Sequence, residues 1–137
     1  VITALDTNVL LDVFLGDRAH GEVSRRAVGH CMDEGALVAC EVVWTEVATF
    51  FPEADDAADA LDRLGVRFVP MDEPASLEAA RRWARARKDA PALPRRVAAD
   101  YLIGAHALHH ADRLLSRDRG FYRKAFKGLT VLDPTGR

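Results

Sequence analysis

Cysteine, long apolar runs and glycine-rich loops are all scarce in this chain, and each shortage removes a class of protein. Only Cys31 and Cys40 occur among 137 residues, so no disulfide framework is available and the composition suits a reducing, cytoplasmic setting. No apolar run approaches the roughly 20 residues of a membrane span, so no membrane association is expected. The chain opens directly on an apolar stretch with no basic segment before it, so no secretory signal is expected either. There is no Gly-rich phosphate loop, no nucleophile elbow and no C-x-x-C, which sets aside the chemistries those motifs carry. His106 and His110 stand four apart with His109 beside them, but no H-E-x-x-H arrangement accompanies them. The helix dipole and solvent account for histidines in a last turn.

What remains is a chain of single-domain length, residues 1–137, able to bury roughly two-thirds of its unfolded surface. Its formal charge of −2 conceals an asymmetry. Residues 1–80 carry sixteen Asp and Glu against five Lys and Arg, whereas residues 81–137 carry five against fourteen. The basic half suits phosphate; the acidic half suits metal, a basic partner or plain solvation.

The apolar pattern alternates between strand and helix. Val1 to Leu5 reads as a strand covered on both faces, and Val9, Leu10, Val13 and Phe14 form a helical stripe with Asn8 as its N-cap. A second helix carries Val23, Ala27, Val28 and Cys31. Ala36–Cys40 is a strand, Val42–Phe51 a helix ended by Pro52, and Ala54, Ala57, Ala58, Leu61 and Leu64 mark an amphipathic helix closed by Gly65. Val66–Val69 is a third strand. Pro74 opens a helix with Leu77, Ala80 and Ala84 inward and Arg81, Arg82, Arg85 and Lys88 outward. Residues 89–94 read as a surface loop, 95–110 as a helix, 113–116 as a fourth strand, 121–126 as a short helix and 129–132 as a fifth strand. This order predicts an α/β/α layered domain with a mainly parallel sheet and right-handed crossovers. Trp44, Phe50 and Phe51 are expected in the core, and Trp83 in a core, dimer or RNA-stacking role.

Four acids stand out against this pattern. Asp6 and Asp118 each follow the carboxyl end of a strand, where open α/β sheets place their ligand crevice. Asp100 shares a helical face with Ile103, Gly104 and Ala107, and Glu46 interrupts an apolar helix. Each has an ordinary alternative: a turn aspartate for Asp6, dipole compensation for Asp100, a solvated face for Glu46. Taken together, converging carboxylates repel by roughly 4 kcal/mol per pair at 4 Å and a dielectric near 20, a penalty that a divalent cation removes. All-oxygen donors favour Mg²⁺ or Mn²⁺ over Zn²⁺. Such an ion suits phosphodiester hydrolysis.

The segments LDTNVLLDVF, WTEV, ADYLIGAHAL and LLSRDRGFY, in this order, resemble the PIN-domain nucleases, and among them the VapC-type toxins of toxin–antitoxin pairs. The resemblance implies a five-stranded parallel sheet of order 3-2-1-4-5 and Mg²⁺- or Mn²⁺-dependent endoribonuclease cleavage of single-stranded or looped RNA. It makes Asp6, Glu46, Asp100 and Asp118 the acidic catalytic and metal site, with Asn8 and Ser116 as supporting hydrogen-bond groups. It also implies a homodimer and a small cognate antitoxin. Many relatives carry a further acid where this chain has Gly120, which leaves a second metal in doubt. Arg117 and Arg119, beside Asp118, are the first choices for RNA contact; Arg81, Arg82, Arg85, Lys88, Arg95, Arg96, Arg123 and Lys124 are the further candidates, for any one of which surface solvation is the ordinary reading. A scaffold that binds RNA or antitoxin and cleaves little is the alternative. A phosphatase of the haloacid dehalogenase type is disfavoured, since Asn8 stands where that family needs a second Asp.

Overall fold

The computed structural model describes residues 1–91 and 98–136. Along the chain run β1 (Ile2–Leu5), α1 (Thr7–Leu15), α2 (Gly21–Glu34), β2 (Ala36–Ala39), α3 (Glu41–Ala48), α4 (Ala54–Leu64), β3 (Val66–Phe68) and α5 (Glu73–Asp89). They are followed by α6 (Ala98–His110), β4 (Arg113–Leu115), α7 (Arg119–Ala125) and β5 (Val131–Leu132). The strands form one five-stranded sheet of order β3-β2-β1-β4-β5, in which every pair is parallel. Thr3 is the register centre, paired with Leu37 of β2 on one side and Arg113 of β4 on the other.

Burial explains the layering. Thr3, Ala4 and Leu5 are all buried, as are Leu37, Val38 and Ala39. Side chains alternate between faces along a strand, so consecutive burial requires cover on both, and the domain is a three-layer α/β/α stack. The chain leaves β1 for β2 and β3, then returns to β4 on the other flank. That reversal puts the topological switch point between the carboxyl ends of β1 and β4, where such sheets open a crevice.

Several helical expectations needed correction. The N-cap of α1 is Asp6, not Asn8, because the Asp6 carboxylate reaches the Thr7 N–H and starts the helix there. In α2, Ser24 takes the buried position while Val23 is 38% exposed; the Ser24 hydroxyl donates to the buried Asp12 at 2.6 Å. In α5, Leu77, Ala80 and Ala84 face solvent, and the inward face carries Ala75, Ala79, Trp83 and Ala86. Stacking of Trp83 on Tyr101 sets that rotation, and two alanines let α5 approach α6 closely. Because α3 stops at Ala48, Phe50 leaves the apolar stripe and is 56% exposed, while Phe51 turns back onto Phe14. His106 is buried rather than solvated, stacked on His110; burial, then the His110 charge, holds its pKa below the ordinary histidine range. Part of the loop and helix start expected over 89–97, with Arg95 and Arg96, lies outside the described residues.

Candidate active site

The site begins with backbone. The Asp6 N–H donates to the Leu115 carbonyl at 3.0 Å, so β1 stays tied to β4 up to the residue where α1 starts. From there the Asp6 carboxylate is held at both oxygens. Oδ1 accepts from the Thr7 N–H at 2.7 Å, and Oδ2 accepts from the Ser116 hydroxyl at 2.7 Å. Ser116 is fully buried and its Oγ also accepts from the Asp118 N–H at 2.9 Å. One hydroxyl therefore fixes Asp6 relative to the turn that carries Asp118.

Thr7 extends the network the other way, its hydroxyl donating to Glu46 Oε1 at 2.7 Å. Glu46, Thr7, Asp6, Ser116 and Asp118 thus form a connected chain across three elements. Asp100, in the first turn of α6, joins electrostatically: its carboxylate contributes to raising the Asp6 pKa. The larger cause is burial, since Asp6 is only 5% exposed, and the hydrogen bonds from Ser116 and Thr7, with the nearby Tyr122 phenol, work against the rise. Burial thus disfavours the charged form of Asp6, and a cation beside it would offset that rise. Donor chemistry fits a hard divalent cation, because every candidate ligand is a carboxylate oxygen. Geometry is looser. Among the described residues no three acids already stand close enough to ligate one ion.

The supporting residues divide. Ser116 bridges two acids as described, whereas Asn8 accepts from the Arg117 N–H at 3.3 Å and so steadies the turn after β4. The Arg117 guanidinium is committed to Asp12, with bonds of 2.7 and 3.0 Å. It therefore locks the β4–α7 turn onto α1, and RNA contact would have to compete with that pair. No ion pair among the described residues holds Arg119. Arg82, by contrast, is tied to Glu78 at 2.8 Å.

Thr7, Asp12 and Tyr122 escaped the sequence reading. Asp12 did leave a signal, an acid one turn after Asn8 inside an apolar helix. Thr7 had only its position between two polar site residues, and Tyr122 looks like any core aromatic. Pairwise contacts of this kind depend on tertiary register and have no sequence period.

No curated protein sequence matches this chain significantly. Solved structures share its fold. A chain of VapBC2 from Rickettsia felis, bound to a promoter DNA fragment, superposes with a TM-score of 0.71 at 14% identity, over 97% of this chain and 98% of that one. A chain of VapBC-1 from nontypeable Haemophilus influenzae gives 0.71 at 19% identity, over 98% and 99%. One from a Klebsiella pneumoniae toxin–antitoxin complex gives 0.63 at 20%, over 96% and 97%. The family model of the PIN domain matches residues 3–127, nearly the whole chain and all the acids described above, so this chain belongs to the PIN domain family.

Proposed function

We propose that the chain is a metal-dependent endoribonuclease, the toxin of a toxin–antitoxin pair. The observation that carries this reading is the hydrogen-bonded line of acids at the switch point: Ser116 joins Asp6 to the Asp118 turn, and Thr7 joins it to Glu46. Asp6, Glu46, Asp100 and Asp118 would hold Mg²⁺ or Mn²⁺. When bound, such an ion supplies charge beside a phosphoryl oxygen and lowers the pKa of water. The protein's own part is positional. Thr7 and Ser116 fix both oxygens of Asp6, while Glu46 keeps one carboxylate oxygen without a hydrogen bond among the described residues, suited to accept a proton from water. Asp118 is oriented through its own N–H.

RNA is the substrate class that the basic second half favours, with Arg119 beside the acids as the leading phosphate contact. The antitoxin partner is supported by the toxin–antitoxin complexes among the structures of similar fold, and a homodimer belongs to the same reading. Two buried free thiols, Cys31 and Cys40, agree with a cytoplasmic site of action. A second reading, a scaffold that binds RNA or antitoxin with little cleavage, is favoured by Gly120 and by the open spacing of the acids.

Cleavage of a mixed, end-labelled RNA pool separates the two. With Mg²⁺ or Mn²⁺ the purified chain is expected to cut, and EDTA or Asp100→Asn to abolish cutting. Folded protein freed of any partner that leaves every RNA class intact would favour the scaffold.

A further inference from the structure

A cleft of about 480 Å³ opens between the second half of α5, the start of α6 and α7. Its wall is aromatic. Trp83 stacks on Tyr101, the centroids 5.7 Å apart and the planes 11° from parallel, and Phe121 meets Tyr101 edge-on at 5.3 Å. Its rim is cationic, with Arg87, Lys124 and Lys127 exposed and Asp89 the one acid among its described lining residues. Arg87 already lies over the Trp83 ring, 5.7 Å from the centroid. A base stacking on Trp83 would share or displace that guanidinium, whose cation–π contact is weak at an exposed site. No ion pair among the described residues holds Lys124 or Lys127.

Position connects this cleft to the acids. Tyr101 follows Asp100 in α6, and Phe121 precedes Tyr122, whose phenol adjoins Asp6. Cleft and acidic edge therefore draw residues from the same two helices, α6 and α7. Aromatic platforms flanked by cations hold single-stranded nucleic acid by stacking its bases while drawing in its phosphates. An acidic peptide would satisfy the cations but leave the aromatic wall without a planar partner.

We infer that the cleft is a nucleobase subsite: an unpaired base neighbouring the scissile phosphate stacks against Trp83, and Lys124 and Lys127 take the adjoining phosphates. The inference rests on the ribonuclease reading for its ligand, takes unpaired RNA from the family resemblance, and adds the residue and cleft that would read its base. A helical segment keeps its bases stacked on one another and cannot offer one to Trp83.

The test uses the full chain with Asp100→Asn, so that RNA is held and not cut, and with Trp44→Phe, which leaves Trp83 as the only tryptophan. Titration with a short oligouridylate or oligoadenylate is expected to quench Trp83 fluorescence. An abasic sugar-phosphate oligomer of the same charge is expected to bind more weakly and leave the fluorescence unchanged. Trp83→Ala should weaken oligonucleotide affinity about tenfold or more with the salt slope preserved. Trp83→Phe, which retains a ring against Tyr101, should keep most of the affinity and guards against a folding defect. Replacing Lys124 and Lys127 by Ala should instead flatten the salt slope. Equal binding of the abasic oligomer, or unchanged RNA affinity in well-folded Trp83→Ala, overturns the inference. So does quenching that only a co-purified protein partner produces. Binding is read here without cleavage. A wild-type chain that cuts while Trp83 is indifferent keeps the nuclease and loses the subsite; quenching by RNA in a chain that never cuts does the reverse.

Discussion

Asp6 carries a tension that the fold imposes. Its carboxyl is buried, which lifts its pKa above the ordinary 3.8, yet ligation of a cation requires the charged form. A carboxyl whose folded pKa is raised contributes stability that is complete below the unfolded pKa and lost as pH rises through the folded one. Asp6→Asn should therefore raise Tm at neutral pH and change it less at acid pH, while abolishing cleavage; thermal melts across pH check both. Ser116→Ala has the opposite character. It removes the donor to Asp6 Oδ2 and the acceptor of the Asp118 N–H, which should cost about 1–3 kcal/mol of stability. As the group that orients two candidate ligands, it should also lower metal affinity about 10- to 100-fold. Denaturant melts and metal titration read the two effects separately.

At the scale of elements, the site depends on how α6 and the end of α7 meet. Gly104 permits their approach, since a Cβ there would lie 2.4 Å from the Phe126 ring, which is fully buried and has nowhere to move. Gly104→Ala should cost about 1–3 kcal/mol by overpacking and should also lower activity, because α6 carries Asp100; urea midpoints alongside cleavage rates check this. The alternation of strands and helices and the placement of Asp6 and Asp118 past strand ends were legible in the sequence because runs and periods encode them, whereas the strand order came only from the family resemblance. Helix rotation was less so. In α5 the apolar Leu77 suggested one face, and Trp83 with Ala75 and Ala79 decided another. Alanine is a weak marker of direction, and a stack across helices leaves no period. Asn8 was misread as a cap because Asp6 and Asn8 are equally good cap residues by type, and only the Thr7 N–H distance separates them. For the same reason the roles of Thr7 and Asp12 emerged only with their partners.

For the whole molecule, the charge asymmetry acquires a direction. The acidic first half supplies Asp6 and Glu46, and the basic second half supplies Asp100 and Asp118 together with the cations around them. On the proposed ribonuclease reading, such an arrangement would draw a polyanion toward an edge that would otherwise repel it, provided the acids are neutralised. Arg119→Ala should weaken RNA binding and reduce the salt slope by about one phosphate contact, measured as log affinity against log salt. Unchanged binding across salt would remove Arg119 from the interface.

All of this depends on the acids acting as one cation site although, among the described residues, no three yet stand at ligating distance. The most direct measurement is Mn²⁺ binding followed by electron paramagnetic resonance, on the full chain and on Asp6→Asn and Asp118→Asn. Saturable binding that each substitution weakens about tenfold or more is the predicted result. Folded protein that binds no Mn²⁺, or binds it equally well after either substitution, would contradict the account.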